Sequence, residues 1–416
     1  MAEEIDFAVL LRQGDRLAWS AGPVEPTHLL GMLNSRLDYT PPVSVLLNVS
    51  FQTAVDAVRL TSRATVTALG GAVTNRRFQA LGALDVLPVN YSALPDLVAS
   101  GRLPIDVVLL QLAADGGAYN LSLMVDHLAD AVPHARAVAA EINECLPVTF
   151  GETRIEAADI DHVVRVSQPP LEIPSRPSSA IEREIAAHVC RLIADGATLQ
   201  IGLGSLADAV LEGLTAKRNL GLHSGTIGDR AVALVEAGVI TNCKKPIDTG
   251  KCVTTTLLGS QRVYRWAHRN VLLEMRSPRY THDILVHAQI PRLTGINSAL
   301  EIDLTGQINA EIAGGQHVGM VGGHGDFMRG CIKSPGGRGI IVIEATARNG
   351  AVSRIVPTLS GKVVTTARSD ADTVVTEYGI AELRGRSVSE RARQLIAIAH
   401  PDFRRALLEA AGEGLL

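Results

Sequence analysis

Aromatic residues are scarce in this chain: Phe, Tyr and Trp together make up 3% of its 416 residues. Base-stacking surfaces are therefore poorly supplied, which argues against a single-strand nucleic-acid binder. An excess of one charge is lacking too. The 39 basic and 43 acidic side chains are mixed along the sequence and sum to −4, so neither nucleic acid nor a membrane is an expected partner. No apolar run approaches the ~18 residues of a spanning helix. The opening residues Met1-Ala-Glu-Glu-Ile-Asp6 are acidic, which suggests neither a signal peptide nor a transit peptide. The five cysteines (145, 190, 243, 252 and 331) are odd in number and form no CxxC. Reduced thiols in a cytoplasmic protein are expected, with buried packing favoured over a nucleophilic role. No His, Cys and carboxylate cluster has metal-ligand spacing, so no metal is expected.

What the chain does contain is alternation. Val45–Val49, Ala64–Ala68 and Val107–Leu112 read as strands; the last is a short apolar run, as in a buried parallel sheet. Ala137–Ile142 fits a strand or a helix equally. Strand and helix patterns alternate to the end, which predicts α/β layers with mostly parallel sheets. At ~150 residues per domain the length suggests two or three domains. The clearest linker is 167–179, whose four prolines fit neither a helix interior nor a central strand. Ser179 and Glu182 after it form a capping box, as do Ser387 and Glu390 near the end. Two domains are expected, 1–177 and 178–416.

The densest stretch runs from Asp195 to Gly238. Ala197-Thr-Leu-Gln-Ile201 is a strand candidate, followed at once by Gly202-Leu203-Gly204-Ser205. Ser205 with Asp208 predicts a capped helix start over Leu206–Leu214. A strand turning on glycines into a helix leaves N–H groups facing an open anion site. A second such unit, Leu220-Gly-Leu-His-Ser-Gly225, leads to Asp229 and a helix ending at Gly238. The first half echoes this plan: Gly14 to Pro23 and a helix from Thr27 place Leu17 against Leu199 and Gly22 against Gly204, which suggests a duplicated domain.

A dinucleotide fold is disfavoured, because Ala207 stands at the third glycine position and no acid occupies 219–226. Gly322-Gly323-His-Gly325 suits either an oxyanion hole or a plain tight turn. His223 ends a predicted strand and is a candidate base, or a structural histidine. Glu301 with Asp303 is a candidate acid/base pair, or two polar positions of an alternating strand.

Several stretches together are more specific. They are Ala197–Leu206, Val235–Asn242, Ile296–Asn309, Val321–Phe327, Val374–Gly385 and Ala399-His-Pro-Asp-Phe403. In these the chain resembles the acetyl-CoA hydrolase/CoA-transferase family, including the 4-hydroxybutyrate and acetate CoA-transferases. The similarity is strong over about 190–405 and looser before it. The resemblance implies two tandem CoA-transferase-like α/β domains with open, mostly parallel sheets and the active site between them. It implies coenzyme A or acyl-CoA as substrate, no metal, and a small acceptor: a carboxylate, water or another nucleophile. It also implies a homodimer or higher homo-oligomer. Gly202, Leu203, Gly204, Ser205 and Leu206 would contact CoA. Gly322 and Gly323 would lie at the oxyanion loop, and Arg348 would replace a family lysine near the cofactor.

The family's chemistry uses one glutamate, whose carboxylate attacks the thioester and carries the acyl group as an anhydride. The resemblance places it in the loop after the 220–223 strand, written His-Thr-Glu or His-Ser-Glu. This chain has His223-Ser224-Gly225 there, and glycine forms no anhydride. A non-standard member is therefore expected, in which water or another acceptor attacks directly, with His223 and Glu301 as base. The alternatives are an orthodox transferase with a relocated glutamate (Glu301 or Glu344), a repurposed lyase or decarboxylase, and an inactive CoA-binding subunit.

Overall fold

The structure is a computed structural model that describes residues 5–412, so the acidic start at Met1–Glu4 lies outside the described residues. The chain divides into two compact units. The first takes the residues up to 174 together with 253–281 and 315–322; the second takes 175–252, 282–314 and 323 onward. Residues 167–179, where the prolines cluster, form neither helix nor strand.

In the first unit seven strands run parallel. They are β1 (Arg16–Trp19), β2 (Val43–Leu47), β3 (Ala64–Ala68), β4 (Leu84–Val86), β5 (Val107–Asp115), β6 (Ala137–Asn143) and β7 (His162–Val166). Their order across the sheet is β4-β3-β2-β1-β5-β6-β7. The run at 137–143, ambiguous in sequence, is a strand with every residue buried. Burial on both faces removes the polar alternation by which an exposed strand is recognised. Helix α1 (Thr27–Arg36) sinks Leu29, Leu30 and Leu33 into a core shared with Phe7, Val45, Leu60 and Leu109.

The second unit repeats the plan. Helix α2 (Ala180–Leu192) starts on the capping box formed by Ser179 and Glu182. Then come β8 (Thr198–Ile201), α3 (Ser205–Glu212), β9 (Gly221–Ile227), α4 (Asp229–Glu236), β10 (Leu293–Ser298) and α5 (His324–Lys333). They are followed by β11 (Arg338–Val342), β12 (Thr373–Thr376), β13 (Gly379–Glu382), α6 (Val388–Ala397) and α7 (Pro401–Gly412). The order is β9-β8-β10-β11-β12-β13, parallel apart from the last pair. Ser387 and Glu390 cap α6 as expected. Ile302, Met328, Ile341, Val374 and Leu395 belong to its core.

The central strand of each sheet bears out the internal echo. Leu17 of β1 pairs with Val45 and Val107, and Leu199 of β8 pairs with Leu222 and Thr294. In both sheets the strand that follows the central one in sequence lies on one side of it and a later strand on the other: β2 and β5 beside β1, β9 and β10 beside β8. A crevice opens at the carboxyl ends where the connections part in this way. In the second unit that end carries Gly202–Ser205.

Candidate functional site

The first crest forms, but its cap differs from expectation. The N-cap of α3 is Gly204, at φ +112° and without a side-chain cap; Ser205 is already helical. The Ser205–Asp208 capping box is therefore not made. The Ser205 hydroxyl donates instead to Glu182 of α2, a carboxylate that also accepts from Arg176 at 2.9 Å and from the Ser179 N–H at 2.7 Å. The cap fails because Ser205 is the first helical residue and not the N-cap, which leaves its hydroxyl to serve the neighbouring helix. Gly202 has only the Ile296 carbonyl oxygen near its Cβ direction, at 3.9 Å, and Gly204 has nothing within 4 Å. Leu203 between them is half exposed. The backbone here is open to a ligand that approaches the start of α3 closely, where the helix dipole favours an anion.

Arg348 lies in the tight turn between two short strands, at φ +52°. With Arg354, Glu344, Tyr378 and His400 it lines an open cavity of about 520 Å³. Tyr378 is held edge-on to His400 at 5.4 Å. Arg354 donates to the Thr346 carbonyl at 3.1 Å, and Glu184 and Glu377 share the lining, so the cavity carries charge of both signs.

The second crest departs further. His223-Ser224-Gly225 does not leave the strand: β9 runs on through Ile227, so Gly225 is a strand residue and not a loop residue. Alternation along a strand puts His223 and Gly225 on one face and Ser224 on the other. Ser224 turns to β8, where its hydroxyl donates to the Ile201 carbonyl at 2.9 Å and accepts from the Ile201 N–H at 3.2 Å. The His223–Gly225 face is covered by groups that the sequence did not single out. The His223 ring meets His287 edge-on at 5.5 Å, and His287 stacks on Phe327 of α5 at 4.6 Å. His282 packs against the same Phe327 at 4.9 Å. A Cβ built on Gly225 would lie 2.9 Å from His282 Nε2 and 3.2 Å from its Cε1. One built on Gly323, the N-cap of α5, would lie 2.7 Å from the same nitrogen and 2.6 Å from Cδ2. Gly330 gives His287 its room in the same way. Three glycines thus make space for two imidazoles.

These imidazoles are deeply buried, with His282 3% and His287 0% exposed. Burial, and next the charge His287 would carry, push the His282 pKa down to about 3. Burial alone pushes His324, the first residue of α5, down to about 4. His282 is therefore neutral at pH 7, able to donate or accept one hydrogen bond without carrying charge. The Thr-His-Asp and Val-His-Ala contexts at 282 and 287 were the available signal; nothing local ties them to residue 225.

Gly322 belongs to the first unit, at φ +51°, and its carbonyl accepts from the Tyr91 N–H at 2.9 Å. Gly323 belongs to the second, and the glycine run is a helix start there. Glu301 sits on a separate three-stranded sheet. Its oxygens take the Lys362 ammonium at 2.5 Å and the Asn309 amide at 3.2 Å. Asp303 accepts from the Thr305 and Gln307 N–H groups, at 2.9 and 3.0 Å, as a turn anchor does. Glu344 lines the Arg348 cavity. Among the described residues no group of three or more His, Cys, Asp or Glu has a metal-binding arrangement, and no helix is long and apolar enough to cross a membrane.

Comparison with known proteins decides the class. Over 330 residues the chain is 42% identical to the 4-hydroxybutyrate coenzyme A transferase of Clostridium kluyveri, covering 79% of this chain and 77% of that one. The chain belongs to the acetyl-CoA hydrolase/CoA-transferase family. Residues 259–411 match the acetyl-CoA hydrolase/transferase C-terminal domain. A second relative, the succinyl-CoA:cyclohexane-1-carboxylate CoA transferase of Geobacter metallireducens, is 33% identical over 415 residues, 98% of this chain and 94% of that one. The fold is shared with RipA from Yersinia pestis, at a TM-score of 0.91 and 31% identity over 98% of this chain and 96% of that one. The protein is thus an enzyme of a family of CoA-transferases and thioester hydrolases.

Proposed function

We propose that this family member turns over acyl-CoA thioesters without a glutamyl anhydride, by hydrolysis or by direct transfer to a small acceptor. One observation carries the reading: at the position where the family resemblance calls for the nucleophile, Gly225 has no side chain, and an imidazole fills the space one would enter. An acyl group cannot be parked on residue 225, so the attack on the thioester carbonyl is made by the acceptor itself. The substrate is held in two places. The open backbone of Gly202–Leu206 receives one part of CoA, and Arg348 another. Gly323 at the start of α5 offers backbone N–H groups toward the developing oxyanion. His223 lies on the strand face that carries Gly225. The protein works in the cytoplasm as a homo-oligomer.

The test is chemical. The enzyme is incubated with short-chain acyl-CoAs and then with hydroxylamine or borohydride, and intact mass is measured. Thiol release is followed in parallel with and without acetate. Thiol release without a trapped glutamyl adduct is expected. An adduct on Glu301, Glu344 or any other glutamate would establish the orthodox transferase instead. Binding of CoA with neither adduct nor thiol release would leave a CoA-binding subunit.

A further inference from the structure

The carboxyl ends of the first unit's strands carry chemistry opposite to that of Gly202–Ser205. In the second unit the start of α3 lies open. In the first, the start of α1 is occupied from within: the buried Glu141 carboxylate on β6 accepts the His28 N–H at 2.8 Å and the Leu29 N–H at 3.1 Å. The protein itself thus supplies the anion that a helix start attracts. The neighbouring amides are spent in the same way. Gln111 Nε2 on β5 donates to Glu141 at 2.7 Å and to the Glu25 carbonyl at 3.1 Å. Gln168 Nε2 donates to Glu141 at 3.0 Å and to Thr27 Oγ1 at 2.9 Å. A side-chain amide has two such hydrogens, so both amides have given theirs away. Beside them lies an open cavity of about 750 Å³, formed within the first unit by the turns after β1 and β2, by Gln111 and by residues 168–172. A volume of this size suits a small molecule. The carboxyls of Glu25 and Glu172 lie in its wall, and no lysine, arginine or histidine is among the described residues that line it.

We propose that this cavity is a second binding site of the enzyme, for a small molecule bearing primary ammonium groups, with Glu25 as its inner partner and Glu172 as its outer one. The proposal is independent of how the thioester is attacked. Glu25 is fixed in place before any ligand arrives: its oxygens accept from the Ser50 hydroxyl at 2.8 Å and from the Phe51 and Gln52 N–H groups at 2.5 and 3.2 Å. Burial nevertheless raises its pKa to about 7, as happens to a carboxyl whose desolvation its partners do not offset. An ammonium group entering the cavity supplies the missing charge and makes charge-assisted hydrogen bonds, which are about twice as strong as neutral ones. A carboxylate or a phosphate entering instead meets two carboxyls and amides that already donate elsewhere, so its desolvation is not recovered.

The experiment uses three four-carbon probes that differ only at their ends: 1,4-diaminobutane, 1,4-butanediol and succinate. Binding to the full chain is measured by isothermal titration calorimetry at pH 8, above the Glu25 pKa of about 7, with melting shifts followed in parallel. The diamine is expected to bind with a Kd below about 1 mM, and the diol at least about ten-fold more weakly. Glu25→Gln keeps the size and the amide-like shape of the side chain but not its charge. It should weaken diamine binding at least about ten-fold while the variant melts cooperatively. Glu172→Gln, at the exposed end, should weaken it less. Any heat from succinate should be the same in Glu25→Gln as in the wild type. The proposal is overturned by absence of diamine binding at about 10 mM, by a diol that binds as tightly as the diamine, or by diamine affinity that Glu25→Gln leaves unchanged.

Discussion

Putting the glutamate back is the most direct perturbation, and the geometry says it fails alone. Even the first atom of a new side chain, the Cβ of Gly225→Ala, arrives 2.9 Å from His282 Nε2 and 3.2 Å from Cε1. Ordinary contact begins near 3.4 Å, and the ring is held by Phe327 and Gly323. Overpacking of this kind costs about 1–3 kcal/mol. Gly225→Glu adds a carboxylate that must be desolvated beside a neutral imidazole, so its cost is larger. Removing the ring relieves the clash, and Gly225→Glu with His282→Ala is expected to be more stable than the single glutamate variant. A double-mutant cycle on Gly225→Ala and His282→Ala, read by urea denaturation, should give a favourable coupling of about 1–3 kcal/mol. In the glutamate double variant a hydroxylamine-sensitive acyl adduct should accumulate on residue 225. Additivity of the alanine variants within about 0.5 kcal/mol, or a Gly225→Glu single variant as stable as wild type, would refute the packing argument.

Further outcomes follow from the charged and buried groups. The His282 and His324 pKa values, held at about 3 and about 4 by burial, lie below the unfolded value of ~6.5. The unfolded chain therefore binds protons first, and stability is lost as pH falls from about 6.5 toward 3. His282→Gln should remove about 3 kcal/mol of that loss between pH 7 and 4, at ~1.4 kcal/mol per pH unit; an unchanged pH slope in urea titrations would contradict this. Glu25 has the opposite sign: burial raises its pKa to about 7, against the bonds it accepts from Phe51, Ser50 and Gln52. Stability from this carboxyl is greatest below the unfolded pKa of ~4.3 and falls as pH rises to about 7. Glu25→Gln should stabilise the fold by about 3 kcal/mol at pH 8 and little at pH 4, and equal melting shifts at both would overturn it. Arg348→Ala should raise the KM for acyl-CoA about ten-fold, the effect of ~1.4 kcal/mol, with kcat nearly unchanged; a fall in kcat alone would place Arg348 elsewhere. Glu301→Gln should leave thiol release within about three-fold and cost under about 1 kcal/mol, as a partly exposed ion pair does; loss of all turnover would restore Glu301 as nucleophile or base.

Sequence legibility followed the range of the interaction. Ser179 with Glu182 and Ser387 with Glu390 cap their helices because both partners lie within one turn. Ser205 with Asp208 reads identically and does not, because the helix begins one residue earlier than the pattern requires, with Gly204 as its N-cap and Ser205 already inside it. The buried strands were visible as apolar runs, and the ambiguous run at 137–142 is also buried throughout, which leaves no polar alternation to mark it as a strand. The absence of a side chain at 225 was plain in the sequence. Its counterpart was not, since His282 is brought beneath Gly225 by the chain's return through 282–290 and not by any spacing that a motif records. The same holds for Glu301, whose partner Lys362 comes from a distant loop.

The division of the chain has a genetic consequence. Each unit is discontinuous, and the chain passes from one to the other after residues 174, 252, 281, 314 and 322. A gene cut at the proline-rich linker would not release two working halves. The downstream fragment would carry 253–281 and 315–322, which belong with the upstream fold, and the upstream fragment would lack them. The first unit therefore depends on segments encoded on the far side of that cut. Recombination between relatives is expected to be tolerated when it swaps whole chains and to be purged when it swaps halves.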